Sequence, residues 1–163
     1  YKRQIKTTPP EEHHFIKANM LFERGRLNEA IAEYEKVIEF NPDYAPAYNN
    51  MGFAYDSLGM ADEAINAYQQ AINADPDYAQ AYYNLGIVSS GRGELDIAEI
   101  CYIKAIEKNP NYAAAYTNLG HLYWFIGEYD LARENLEKGR AIFEKEGNEE
   151  NIKRVDELLN QLP

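Results

Sequence analysis

The sequence predicts an all-α solenoid made of four consecutive helix pairs and one closing helix. Residues recur at a fixed spacing of 34, the apolar residues within each period follow helical spacing, and glycine and proline stand where helices should end. Together these observations indicate a repeat protein with two helices in each repeat. The recurring residues are Pro42, Pro76 and Pro110; Gly52, Gly86 and Gly120; Gly25, Gly59, Gly93 and Gly127; and Ala30, Ala64, Ala98 and Ala132.

One period, residues 45–78, shows how each element is predicted. Its first half carries an apolar stripe at helical spacing, and its second half carries another. Gly59 lies between the two stripes, where a tight turn is expected. Pro76 ends the second helix, because proline cannot continue a helix and disfavours helical backbone at the residue before it. The two stripes are Tyr48, Met51, Gly52 and Tyr55, and Ala64, Tyr68, Ala71 and Ile72.

The repeated motif resembles that of the tetratricopeptide repeat (TPR) family, with aromatic, Leu-Gly, Tyr, Ala, aromatic, Ala and Pro positions. It reads Y-x-N-M-G-x-x-Y over 48–55, Y-x-N-L-G over 82–86 and Y-x-N-L-G-x-x-Y over 116–123. The resemblance implies a right-handed superhelical solenoid of four helix-turn-helix repeats with a C-terminal capping helix. We expect a basic N-terminal extension at 1–10, repeats at 11–44, 45–78, 79–112 and 113–146 (together 11–146), and the capping helix at 147–163.

The first repeat departs from the motif. His14 and Lys17 stand where the later repeats have Tyr and Leu or Met. Polar residues at these positions suit an outermost repeat, which has one face in water. Residues 8–11, Thr-Pro-Pro-Glu, are predicted to form a capping box with proline at the first helical position.

The fourth repeat departs in a different way. Gly139 replaces the second-helix alanine, and Glu144 replaces the proline, so this helix should continue to about Glu146. Gly147 should then end it. Asn148 is expected to cap an amphipathic last helix that covers the final apolar face. The apolar residues of that helix are Ile152, Val155, Leu158, Leu159 and Leu162.

Composition excludes several functional classes. The formal net charge of −11, from 27 acidic and 16 basic residues, argues against a nucleic-acid partner. A single cysteine, Cys101, cannot form an internal disulfide, and no apolar run could span a membrane. We therefore expect a cytoplasmic location. Lys2, Arg3 and Lys6 would suit the cytoplasmic flank of a membrane anchor, if such a segment preceded Tyr1.

No enzyme, metal site or cofactor is predicted. The nearest approach to a metal cluster is the Glu-Glu-His-His sequence at 11–14, but adjacent helical side chains point about 100° apart, whereas zinc on a helix favours ligands at i and i+4. A nucleophilic pair of Cys101 and His121 is not expected, because Cys101 should face away from the first-helix surface, as a small filler or an exposed thiol. No phosphate-binding loop or nucleotide fingerprint is present.

By resemblance, the first helices of the repeats line a concave partner-binding groove. Asn50, Asn84 and Asn118 form a ladder similar to that of the O-GlcNAc transferase repeats. Its amides either hold a peptide backbone or only stabilise neighbouring helices. Trp124 is either a binding anchor or a core residue beside the capping helix. The predicted groove comprises Asn49, Asn50, Phe53, Tyr83, Asn84, Ile87, Thr117, Asn118, His121, Trp124 and Phe125.

Charge narrows the class of partner. Chaperone-binding members of the family use a cationic clamp, but the matching positions here are uncharged, so an acidic chaperone tail is not expected as the partner. Between Val37 and Gly91 there is no lysine or arginine, and seven acidic residues there would attract a basic partner. The clamp positions hold Phe15, Asn19, Asn50, Gln80 and Asn84.

The predicted function is therefore a protein–protein interaction scaffold or adaptor that assists the assembly of a complex. It would bind an extended or helical segment of a partner that is apolar or mildly basic. Two alternatives stay open: a self-assembling structural TPR protein, and the targeting module of a larger enzyme.

Overall fold

The computed structural model describes residues 9–163, and every regular element in that range is an α-helix, so the predicted all-α class is confirmed. Residues 1–8, and with them the expected role of Lys2, Arg3 and Lys6, lie outside the described part. The helices are α1 (Pro10–Glu23), α2 (Leu27–Phe40), α3 (Ala45–Ser57), α4 (Ala61–Ala74), α5 (Ala79–Gly91), α6 (Leu95–Lys108), α7 (Ala113–Ile126), α8 (Tyr129–Glu146) and α9 (Glu149–Asn160).

Glycines make the tight turns inside the helix pairs. Each turn glycine has a positive φ, which side chains other than glycine rarely adopt. The residue after it then donates its N–H back to a carbonyl of the first helix; Met60 N, for example, lies 2.9 Å from Tyr55 O. The glycines are Gly25 (φ 72°), Gly59 (75°), Gly93 (77°) and Gly127 (87°).

The second helices of the first three pairs end just before a proline. Their C-cap residues, Asn41, Asp75 and Asn109, have extended backbones. Each C-cap side chain accepts a hydrogen bond from the N–H two residues later, which fixes the turn into the next pair. The N···O distances are 3.2 Å to Asp43, 3.0 Å to Asp77 and 3.1 Å to Asn111.

The chain divides into two compact units, residues 1–81 and 82–163. In the first unit, the buried side chain of Tyr34 packs among small residues such as Ala18 and Ala30. Tyr68 lies directly against the backbone of Gly52, where a Cβ atom would approach the ring to 2.7 Å. Large rings on second helices therefore fill the space left by small residues on first helices.

The second unit repeats this packing and adds α9. A Cβ atom at Gly86 would lie 2.7 Å from the Tyr102 ring, and one at Gly120 would lie 2.8 Å from Leu136 Cγ. Val155 of α9 is fully buried in a cluster with Leu136 of α8. The other members of this cluster are Ala113 and Phe143, with Ile142, Ile152, Leu158, Leu159 and Leu162 packed against them.

The helix ends predicted near the C-terminus are confirmed. As the missing proline predicts, α8 continues to Glu146, and Gly147 follows it with a φ of 69°. Asn148 caps α9, its Oδ1 accepting from Asn151 N at 3.2 Å. At α1 the N-cap is Pro9, and Pro10 is the first helical residue, so a proline stands at the first helical position as predicted. The predicted capping box involves Thr8, which lies outside the described residues, and it stays a prediction.

None of the helices within residues 9–163 combines the length and the apolar character needed to cross a bilayer.

Candidate protein-interaction surfaces

The first unit presents a pair of phenylalanines on its first helices. Phe22 of α1 stacks on Phe53 of α3, with ring centroids 5.2 Å apart and an angle of 27° between the planes. Phe53 is 50% exposed, whereas Phe22 is half-buried and rests against the core of the unit. The pair is therefore a fixed apolar platform with one open side.

Below this platform lies a pair of asparagines. Asn50 Nδ2 donates to Asn19 Oδ1 at 3.1 Å, and the Tyr34 hydroxyl donates to the same oxygen at 2.6 Å. Asn49 Nδ2 donates in turn to Asn50 Oδ1 at 3.3 Å. Burial raises the pKa of Tyr34 to about 12, against a smaller lowering by Asn50, so this hydroxyl stays a neutral donor. In the first unit, the ladder asparagine thus ties two first helices together.

The platform and the amides line a partly open cavity of about 220 Å³. Glu23 lies at its edge with an exposed side chain, and no lining residue is cationic. A cavity with aromatic walls, amide groups and one carboxylate can accept an apolar side chain or the apolar stem of a cation. Its lining residues are Asn19, Phe22, Glu23, Tyr34, Asn50 and Phe53.

In the second unit, His121 and Trp124 of α7 form a stacked pair. Their ring centroids lie 5.6 Å apart with 12° between the planes. Trp124 is half-buried and packs against the same core cluster as Leu162, which follows α9. It also lines an open pocket of about 450 Å³. Trp124 therefore packs against the core and also lines the pocket, and its role as a binding anchor stays a prediction.

Part of that pocket was not predicted from the sequence. Phe125, which was predicted, lines it and is the most exposed large apolar residue among those described. Tyr129 begins α8, and Gln161 and Pro163 follow α9, so three separate segments meet here. The sequence holds one signal for Tyr129, because it is the only aromatic residue at a position that is aliphatic in the other repeats. The equivalent residues are Leu27, Ala61 and Leu95.

In the second unit, the ladder residue Asn118 is hydrogen-bonded within the unit. Asn118 Nδ2 donates to the Tyr83 hydroxyl at 3.3 Å, and the Tyr83 ring packs against Tyr112 with centroids 4.8 Å apart. Burial raises the pKa of Tyr83, although the bond from Asn118 lowers it. Asn84 is half-buried, and Ile87 is partly exposed. As with Asn50, the amide of Asn118 joins elements of its own unit.

Two predicted groove residues are buried. Asn49 is 4% exposed and Thr117 is 7% exposed. Thr117 Oγ1 donates to Ala113 O at 3.0 Å and faces Gly139 of α8. Thr117 therefore faces the second helix of its own repeat, and because both residues are buried they are removed from the proposed binding surface.

The reactive residues singled out from the sequence have structural roles. Cys101 packs beside Gly86 of α5, so the expectation that it faces away from the first helix is wrong and the filler alternative is right. Burial raises the pKa of its thiol to about 11, which suppresses the nucleophilic thiolate. His14 Nδ1 lies 2.6 Å from Glu33 Oε2, and its ring stacks on Phe40.

Comparison with known proteins agrees with this architecture. A family profile described as "TPR repeat" matches residues 18–59 and 57–89, and one described as "Tetratricopeptide repeat" matches residues 77–145. A comparison with curated protein sequences gives no match.

Solved structures provide further similarities. One crystal structure of MamA is 26% identical, with a TM-score of 0.68 over 85% of this chain and 89% of that chain. Another is 25% identical, with a TM-score of 0.71 over 91% and 88%. The first TPR of Spaghetti (RPAP3), bound to the HSP90 peptide SRMEEVD, is 24% identical with a TM-score of 0.68 over 72% and 94%, a likeness of fold alone.

Together the two profiles match residues 18–145, which is most of the chain. TPR repeats are protein-interaction modules and are typically not enzymes. The chain therefore belongs to the tetratricopeptide repeat family.

Proposed function

We propose that this protein is a scaffold or adaptor that holds an apolar or mildly basic segment of a partner protein on its first-helix surfaces, and so assists the assembly of a complex. The observation that carries the proposal is the Phe22–Phe53 pair above the Asn19–Asn50 amides, which combines an exposed aromatic anchor with fixed polar groups. Aromatic residues in such positions commonly dominate binding energy.

The amides support binding to a peptide main chain. An asparagine side chain has two donor hydrogens and an oxygen with two lone pairs. The bonds from Asn50 to Asn19 and from Asn49 to Asn50 fix the orientation of the Asn50 amide without using all of these. A partner backbone that adds to an already oriented amide loses less entropy than one that must order it.

Charge supports a partner without an acidic end. The first TPR of Spaghetti (RPAP3) is bound to the HSP90 peptide SRMEEVD, which has three acidic residues and one arginine. In this chain, the cavity beneath Phe53 has a glutamate at its edge and no cationic lining residue. An acidic peptide would meet repulsion there, whereas a lysine or arginine could lay its stem on the phenylalanines and direct its charge toward Glu23.

The test is selection of binding peptides from a random display library, followed by affinity measurement. We expect affinities of about 1–100 μM, and Phe53→Ala should weaken them about tenfold or more. Phe40→Ala is the matched control, because Phe40 is 55% exposed in the same unit but lies at the end of a second helix. Glu23→Gln should selectively weaken the basic peptides.

The composition of the selected peptides also tests the proposed charge preference. Peptides rich in Asp and Glu would contradict the proposed charge preference. Equal losses of peptide affinity in Phe53→Ala and Phe40→Ala would contradict the proposed binding site at Phe53. Phe125→Ala changes the surface of the second unit. It should lower the affinity for the same peptides only if their binding extends to α7.

A further inference from the structure

A second apolar surface lies on α6, away from the residues used in the proposed function. Ile97, Ile100 and Ile103 are all exposed, and Ile100 at the centre is 60% exposed. Their spacing of three places them together on the outward side of the helix. The inward side carries the buried residues Ala98, Tyr102 and Ala105. They make a compact isoleucine patch, here named the α6 patch.

The α6 patch is not a property of the repeat. The equivalent residues of the other second helices are exposed and mostly charged or amide-bearing, as expected for surface positions. Three β-branched apolar residues at these positions are therefore specific to α6. The equivalents are Glu29, Glu63 and Leu131 for Ile97; Ala32, Asn66 and Glu134 for Ile100; and Glu35, Gln69 and Glu137 for Ile103.

The charges beside the patch are arranged symmetrically about its centre. Asp96 lies four residues before Ile100, and Lys104 lies four residues after it; both are exposed. If two α6 helices pack antiparallel with Ile100 at the centre, Asp96 of each copy comes to the same level as Lys104 of the other. The helix is thus complementary in charge to its own reversed copy.

We propose that the α6 patch binds the α6 patch of a second copy of this chain, as an antiparallel, two-fold symmetric helix pair. A two-fold interface must use the same surface on both copies, which the isoleucines and the Asp96–Lys104 arrangement satisfy. Lys104 also contacts Glu107 at 2.7 Å, but this exposed pair is weak enough for the lysine to re-pair across the interface.

The association is expected to be weak. Two short helices bury less than the roughly 1,000 Å² of a stable interface, and each copy carries a net charge of −11 that opposes approach. The dimer should therefore exchange with monomer at concentrations of about 10 μM to 1 mM.

Sedimentation velocity over that range tests the proposal. The wild type should show a reversible dimer, whereas Ile100→Glu places two carboxylates at the centre of the pair and should weaken association by about tenfold or more. Ile16→Glu is the matched control, because Ile16 is a 51% exposed isoleucine on α1, and this variant should associate like the wild type.

A charge exchange tests the pairing itself. Asp96→Lys and Lys104→Asp should each weaken self-association, and an equimolar mixture of the two variants should restore it, because each then meets opposite charges. A wild type that stays monomeric at about 1 mM would overturn the proposal. So would a dimer unaffected by Ile100→Glu, or a mixture that does not associate. Phe53→Ala should leave the dimer intact, so failure of the α6 interface and failure of the peptide-binding surface are distinguishable.

Discussion

The first and fourth repeats support their second helices in different ways. In the first repeat, a buried carboxylate on α2, that of Glu33, is surrounded by His14, Lys17 and Lys36, with the lysine Nζ atoms 2.8 and 2.9 Å from its Oε1. In the fourth repeat, the apolar side of α8 is covered by α9 through Val155. The comparison teaches that the repeat accepts either ion pairs or an added apolar helix beside its second helix.

The two solutions differ in energy. Burial of apolar area contributes about 25 cal/mol per Å², so a well-packed α9 stabilises the second unit substantially. Ion pairs whose lysines are about half exposed contribute far less, because water competes for the charges. Stability should therefore be more sensitive to change at α9 than at the Glu33 cluster.

The largest expected effect is that of Val155→Asp. An aspartate at this fully buried position has no cation among its apolar neighbours and should reduce the free energy of unfolding by about 3–4 kcal/mol. Urea denaturation followed by circular dichroism measures it. Lys153→Asp introduces the same residue at an exposed position of α9 and serves as control. Equal losses in both variants would mean that α9 contributes only its helix and not its buried face.

An intermediate effect is expected for Gly139→Ala. The equivalent position holds Val37 in the first repeat, but in the fourth a Cβ atom would lie 2.8 Å from Thr117 Oγ1 and 3.1 Å from Ala113 O. Despite the better helix propensity of alanine, we expect a loss of about 1–3 kcal/mol.

A double-mutant cycle identifies the cause of that loss. Thr117→Ala removes the closer contact, so Gly139→Ala should cost less in the Thr117→Ala background than in the wild type. Additive losses would show that the Thr117 hydroxyl is not the obstacle, and that the α7 backbone at Ala113 is.

The smallest effect is expected at Glu33. Burial raises the pKa of this carboxyl. Hydrogen bonds from Lys17, Lys36 and His14 together lower it by more than burial raises it, so the pKa is about 2. Because the folded-state pKa lies below the ordinary 4.5, the stabilisation is present above pH 4.5 and is lost as pH falls toward 2. Glu33→Gln should cost about 1 kcal/mol at neutral pH.

Stability measured against pH is the readout. Glu33→Gln should lose less stability than the wild type between pH 4.5 and 2. Glu35→Gln, at an exposed position of the same helix, should follow the wild type. A Glu33→Gln acid profile parallel to that of the wild type would mean that the ion pairs do not stabilise the folded state.

Most of the fold could be predicted from the sequence, because the period of 34 and the glycine and proline positions are local signals. The contacts of the candidate site could not. Whether Asn50 bonds to Asn19 depends on how closely α1 and α3 approach, and the burial of Thr117 depends on Gly139. His14 and Lys17 were recognised as departures, but their partner Glu33 was not, because nothing local connects residues 16 to 19 positions apart.

The close contact between first-helix glycines and second-helix rings has a consequence for recombination of such chains. Gly52 and Gly86 lie against the rings of Tyr68 and Tyr102, whereas Gly120 lies against Leu136, so the first helix of the fourth repeat is fitted to a different side chain. Exchanging a single helix between the fourth repeat and either of these two would pair a residue with a space shaped for another. The segment that can be moved, duplicated or grafted as a whole is therefore the helix pair with its turn.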